Sequence, residues 1–197
     1  MSKQDEPVRT GRRTGDGNTR DDILAAAREL FASGGFGKTT MRAVATRADV
    51  DVALIPYYFT NKRGLFVAAM EMPIDPAVRI AEAADGPRET LGARLAETFL
   101  TAWDDPGSGP ALQAFLRTAV TDEPTAHAFG EFVSQSIMPM VTERVGVGED
   151  TARAVSSMMF GVATMRYLVG APVFTAPSTA DLIAAYGPRI QAVIDAD

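Results

Sequence analysis

The chain has 197 residues, 46% apolar and 22% charged, enough to bury a sizeable core as one large or two small domains. It contains no cysteine and a single histidine, His127. Disulfide scaffolds, thiolate metal centres, thiol nucleophiles and multi-imidazole zinc sites are thereby excluded, and neither a metal nor a cofactor is expected.

The formal net charge of −6 is unevenly placed. Residues 1–70 carry eleven Lys/Arg against eight Asp/Glu, whereas the rest carries eight against seventeen. Such a division suits a small module that meets phosphate, mounted on a body that repels it. The longest uncharged apolar stretch, Ala154 to Met165, is too short to cross a bilayer, and the first twenty residues lack the apolar core of a secretory signal. A cytoplasmic protein without a membrane partner is expected.

Residues 1–18 have no apolar period and read as a disordered basic arm carrying Arg9, Arg12 and Arg13. Order is expected from Thr19, a capping partner for Asp22, followed by Ile23, Leu24, Ala27, Leu30 and Phe31 on one helical face. Gly34 and Gly35 stop this helix. Thr39 and Thr40 then offer an N-cap for a short helix to about Ala48. Asp49 stands where a left-handed turn residue is useful, and Asp51 opens a second short helix to about Phe59, with Ile55, Tyr58 and Phe59 inward. Two short helices about a tight turn form a helix-turn-helix pattern. A further helix from Asn61 ends at Pro73 and Pro76, which places the domain boundary near residue 72.

The stretch from Arg20 to Met70 resembles the DNA-binding domain of the tetracycline-repressor (TetR/AcrR) family of transcriptional regulators. The likeness rests on ILAAARELF, a glycine loop, TTMRAVATRADV and a YYFTNK element opening a helix. It implies a homodimer whose C-terminal helical domain binds a small molecule and thereby lets go of a palindromic duplex operator.

The residues support a reading of their own. With Ile55, Tyr58 and Phe59 inward, the second short helix presents Val52, Ala53, Pro56 and Tyr57 to a major groove. That face has no Arg, Asn or Gln, so it senses shape and thymine methyls, and guanine reading falls to Arg42. Arg42 is read as a base or phosphate contact or as a solvated arginine, and Tyr57 as a phosphate contact or a packing aromatic. Thr40 either caps its helix or meets a phosphate. Lys62, a cation in the first helical turn, opposes the macrodipole by about 0.3–1 kcal/mol, a penalty that a bound phosphate reverses. Pro56, which deletes a hydrogen bond near Val52, predicts a widened helix start or an unusual specificity.

Beyond the boundary, helical periods recur at 77–84, 89–103, 111–121, 125–145, 150–170 and 179–196, without a strand or an internal repeat. The fold class is all-α: a helix-turn-helix domain at 19–72 and a helical body at 73–197 for ligand binding and dimerisation. Phe99, Trp103, Phe115, Phe132, Met138, Met159 and Tyr167 line an apolar cavity or simply fill the bundle, and Pro139 kinks its helix to open space or to adjust packing. His127 and Arg166 are the polar anchors available to an apolar, neutral inducer. The apolar faces Val155, Met159, Val162, Met165 and Leu182, Ile183, Tyr186, Ile190, Val193, Ile194 fit a four-helix dimer contact. Two other classes stay open: a ligand-binding protein that has lost its DNA, and a helical enzyme pairing His127 with Glu123 or Glu131.

Overall fold

The computed structural model describes residues 16–197. The arginines of the basic arm, Arg9, Arg12 and Arg13, lie outside the described residues. Among the described residues there is no strand, and every regular element is helical.

Helix α1 (Asp16–Lys38) begins three residues before Thr19, which therefore lies within the helix rather than at its cap. Its regular path breaks at Gly35 (φ 74°, ψ 178°), the left-handed side of the map that glycine reaches without strain. Ile23, Ala27 and Phe31 are fully buried, as their spacing predicts. Thr39 is buried and its hydroxyl donates to the carbonyls of Leu30 (3.0 Å) and Gly35 (2.8 Å), tying the loop back onto α1. Thr40 alone is the N-cap of α2 (Met41–Ala48), accepting from the Ala43 amide at 3.1 Å. Asp49 closes that helix in the left-handed conformation (φ 55°, ψ 48°).

Helix α3 (Leu54–Phe59) starts three residues later than Asp51. Asp51 instead accepts from the Ala53 amide at 2.8 Å, and the amides of Leu54 and Ile55 bond three residues back to Asp51 and Val52. The start ahead of Pro56 is therefore tightened, not widened. Proline lacks the N–H that would close an α-type bond to Val52, and it sits in the first turn, where it is tolerated. Thr60 follows at φ 64°, ψ −54°, with the Asn61 amide bonded to the Phe59 carbonyl, a γ-turn that aims α4 (Lys62–Ala69) across α1.

The body opens with α5 (Pro76–Ala84), capped by Asp75, whose carboxylate also takes Arg63 of α4 at 3.0 Å. Next come α6 (Leu91–Asp104), α7 (Gly109–Thr121) and α8 (Glu123–Phe132). Helix α8 continues through a π-helical turn at Val133–Ile137, α9 (Met138–Val141) and a second such turn at Thr142–Gly146. These wide turns flank Pro139, whose missing N–H they accommodate. Helix α10 (Glu149–Ala163), the short α11 (Pro172–Thr175) and α12 (Thr179–Asp195) complete the bundle. A reciprocal Ser178–Asp181 capping box starts α12.

Two packing features set head and body in place. Helices α6 and α12 meet backbone to backbone, with the Gly92 amide donating to Gln191 Oε1 at 2.8 Å. The head's apolar core is also not closed by the head alone. Phe31, Phe36, Val44, Ile55, Leu65 and Phe66 share one buried cluster with Ala128, Phe132 and Ile137 of the body. The chain boundary near Pro73 is therefore crossed by the core.

Candidate nucleic-acid interface and ligand cavity

The outer face of the α2–α3 unit is built by subtraction. Once Val44, Ala45, Ile55 and Phe59 are buried, the residues left outward include Thr40, Arg42, Val52, Ala53, Pro56 and Tyr57, alongside Ala43, Thr46, Arg47, Asp49 and Asp51. Tyr57 is 76% exposed, its ring braced edge-on by Tyr58 at 4.9 Å. Exposing so much aromatic surface is costly unless a partner covers it. Thr40, Arg42 and Thr46 also share a shallow groove at the start of α2.

Most cations of the head already have partners. Arg28 donates to the Ala69 carbonyl and Glu71, Arg47 to Glu29, and Arg63 to Asp75. Arg20 lies over the Phe59 ring at 5.4 Å. Lys62 turns inward: Nζ donates to the Gly37 carbonyl at 3.2 Å and sits 4.4 Å from the centre of the Phe36 ring. Partial burial lowers its pKa, offset in part by Glu131 nearby. Among the described head residues, Lys38 and Arg42 are the cations without an intramolecular partner.

The body encloses an apolar cavity of about 170 Å³ between α5, α6, α7, α8 and α10. Phe99, Trp103, Phe115, Phe132 and Met159 line it, together with Phe129 and Phe160. Among the described residues, Arg79 is the one ionisable side chain on its wall, and it is paired with Glu82 at 2.8 Å. Thr98 and Ser156 add hydroxyl groups to the wall.

Comparison with known proteins decides what this arrangement is. The family described as "Bacterial regulatory proteins, tetR family" matches residues 23–69, and the "Tetracyclin repressor-like, C-terminal domain" matches residues 89–194, more than half of the chain. A crystal structure of a TetR-family regulator from Streptomyces coelicolor A3 is 31% identical over 94% of this chain and 99% of that one, with a TM-score of 0.53. The chain belongs to the TetR family. It is a TetR-family transcriptional regulator with an N-terminal helix-turn-helix domain and a C-terminal helical domain. The probable HTH-type transcriptional regulator YttP of Bacillus subtilis (strain 168) is 48% identical over 48 residues, and that match spans only about a quarter of either chain. Among the described residues of this TetR-family chain, no helix is long and apolar enough to cross a membrane.

Several residues singled out in the sequence sit elsewhere than their pattern suggests. Met138 does not line the cavity. Its sulfur accepts from Ser156 Oγ at 3.8 Å, and the side chain packs against the buried cluster that contains Leu91, Val145 and Ile190. Tyr167 also lies off the cavity wall, stacked on Trp103 at 5.4 Å and donating to Asp104 Oδ1 at 2.8 Å. Arg166 does not reach the cavity either, because its guanidinium donates to the carbonyls of Phe174 (2.7 Å) and Pro177 (2.9 Å) and so fixes the α11 segment. His127 is on the surface, 3.8 Å from Glu131. Of the faces assigned to dimer contact, Met159, Val162, Leu182, Ile190 and Ile194 are buried inside the protomer. An apolar stripe is the same signal for both uses.

Burial and the Asp104 bond push the Tyr167 phenol up to about 12. A folded pKa above the ordinary 10 means that the native state holds this proton longer, so its contribution to stability is complete below pH 10 and is lost between about 10 and 12. In an ultraviolet titration, Tyr167→Phe is expected to remove a phenol step that lies well above pH 10. Loss of an earlier step contradicts this.

Two residues of consequence, Lys38 and Glu131, were not legible in the sequence in the places they take, Glu131 being read there only as a partner of His127. Lys38 is an exposed lysine like any other until the remaining head cations are seen to be occupied. Glu131 accepts from the Gly37 amide at 2.9 Å, across 94 residues of chain.

Proposed function

We propose that this TetR-family protein is a homodimeric repressor that holds a palindromic duplex and releases it when an apolar ligand enters the body. The observation that carries the reading is the sharing of two buried side chains, Phe132 and Ile137, by the cavity wall and the core of the head. An occupant that shifts this wall acts directly on the packing beneath α2 and α3. Ligand and duplex then favour different head positions, and each weakens the other by the same factor.

Val52, Ala53, Pro56 and Tyr57 are the groove-facing set, reading shape and thymine methyls, while Thr40, Arg42 and Lys38 supply the polar and charged contacts. The tightened start of α3 keeps Pro56 outward, so its ring is part of the face the groove meets. The ligand is uncharged, since the cavity offers no unpaired ion. An apolar cavity of about 150 Å³ stays dry and takes up benzene, so the occupant is about one substituted aromatic ring in size. Dimerisation uses the outward faces of α10 and α12, where Ala154, Ser157 and Gly161 and, opposite, Ala180, Ala184 and Ala192 are exposed and carry no charge. Such a protein works where the chromosome is, in the cytoplasm.

The test is selection of a duplex from a random pool, followed by affinity measured against salt. With on the order of eight phosphate contacts per dimer, log affinity falls against log salt with a slope near −7. Arg42→Ala removes two of these contacts per dimer and makes the slope shallower by roughly 2. Lys62→Ala leaves the slope unchanged, because its ammonium is spent on the Gly37 carbonyl and the Phe36 ring. A shallower slope for Lys62→Ala returns this lysine to the phosphate. Failure to select any duplex, or sedimentation as a 21 kDa particle at micromolar concentration, defeats the reading as a whole.

A further inference from the structure

The loop between α1 and α2 is held from two sides. From the head, Lys62 Nζ donates to the Gly37 carbonyl. From the body, Glu131 Oε2 accepts from the Gly37 amide at 2.9 Å. The approach is close enough that a Cβ at Gly35 would stand 2.1 Å from Glu131 Oε2, and one at Gly37 would stand 2.8 Å from Gln135 Nε2. Both peptide groups of this turn are therefore fixed by side chains, and the acidic one arrives from α8.

The neighbouring residue on α8 grips the same loop by a different chemistry. Phe132 meets Phe36 edge-on at 5.3 Å and stacks on Phe66 at 4.5 Å, and its other side lines the cavity. Phe129, one turn earlier, is also a cavity wall residue. One helical turn of α8 thus presents aromatic rings to the cavity and a carboxylate to the loop that starts α2.

We infer that Glu131 is the positioning residue through which the cavity sets the head: its bond to the Gly37 amide makes the α1–α2 loop follow any movement of α8. The inference rests on the repressor reading and deepens it by naming the link between the two sites. Phe132 alone is an oily contact that tolerates sliding, whereas a charge-assisted hydrogen bond to a backbone amide in a tight loop fixes one register. When a ligand displaces Phe129 and Phe132, Glu131 moves with them, and the loop, the Thr40 cap and α2 follow.

The test uses an internal stand-in for the ligand, the cavity-wall substitution Ala102→Phe on α6, in the full chain. Affinity for the selected duplex is measured in four proteins: parent, Ala102→Phe, Glu131→Ala and the double variant. In the parent background the overfilled cavity is expected to weaken duplex binding about tenfold, within the usual range of coupling between two sites. In the Glu131→Ala background the same substitution should cost less than about threefold. Glu131→Gln, which keeps an oxygen for the Gly37 amide, should restore most of the response. Equal losses in both backgrounds, or no loss on overfilling the parent, overturn the inference.

Hydrogen exchange of the 35–38 loop gives a second readout that needs no DNA. Overfilling should speed exchange there while Glu131 is present, and should add nothing once Glu131→Ala has already loosened it. If Ala102→Phe does not fold, Thr98→Leu on the same wall takes its place. If no duplex is ever selected, the regulator reading fails alone, and the exchange pattern still decides whether Glu131 couples cavity to loop.

Discussion

Replacing Phe132 by alanine should lower the stability of the protein by about 3–5 kcal/mol, the range for a fully buried phenylalanine whose site cannot collapse. The ring has no exposed surface and contacts Phe36, Phe66 and Phe129. Its loss opens a hole between head and body at once. For a domain whose total stability is of order 5–15 kcal/mol, that is a large share. Urea unfolding at fixed protein concentration, followed by the lone Trp103 in the body and by far-ultraviolet dichroism, measures it. Because one core spans both parts, the midpoint of the Trp103 transition should fall although Trp103 and Phe132 belong to different buried clusters. A loss below about 1 kcal/mol would show that the head closes without this ring.

Gly92→Ala is expected to be nearly as damaging, although it adds one methyl group. That methyl would stand 2.4 Å from the Gln191 amide nitrogen and 2.5 Å from the Gly187 carbonyl oxygen. Both are backbone atoms of a packed helix, so the strain is relieved only by parting α6 from α12, which also breaks the Gly92 to Gln191 hydrogen bond. Overpacking of this kind costs about 3 kcal/mol, or a fall in Tm of roughly 6–12 °C for a chain of this length. Gly130→Ala is the matched control. No heavy atom outside its own helix lies within 4 Å, so the gain in helix propensity should leave stability equal or up to about 1 kcal/mol higher. Equal effects at the two glycines would mean that α6 and α12 are not in backbone contact.

What the sequence made legible was local. The buried face of α1, the Thr40 cap and the left-handed Asp49 follow from spacing and from the chemistry of single residues, and the structure has them where the pattern puts them. The late start of α3 was half legible. Pro56 announced a missing hydrogen bond, but whether the chain answers by widening or tightening depends on Asp51, whose carboxylate draws in the Ala53 amide. Contacts made over long chain separations were not legible. Lys62 reads as a cation at a helix start, and only the fold brings the Gly37 carbonyl beneath it. An apolar stripe on α10 serves a protomer core as well as a contact between copies, so period alone did not say that Met159 and Val162 are residues the protomer keeps for itself. The same holds for Met138 and Tyr167, whose side chains are as suited to a cavity as to the packing they adopt.

The core that runs past Pro73 also limits how such a protein can be recombined. A chimera that grafts residues 16–72 onto the body of a relative would leave Phe36 and Phe66 facing whatever that body offers in place of Phe132. A workable exchange of binding specificity must therefore carry the 128–137 segment along with the head, or restore an aromatic ring of the same size at that seam.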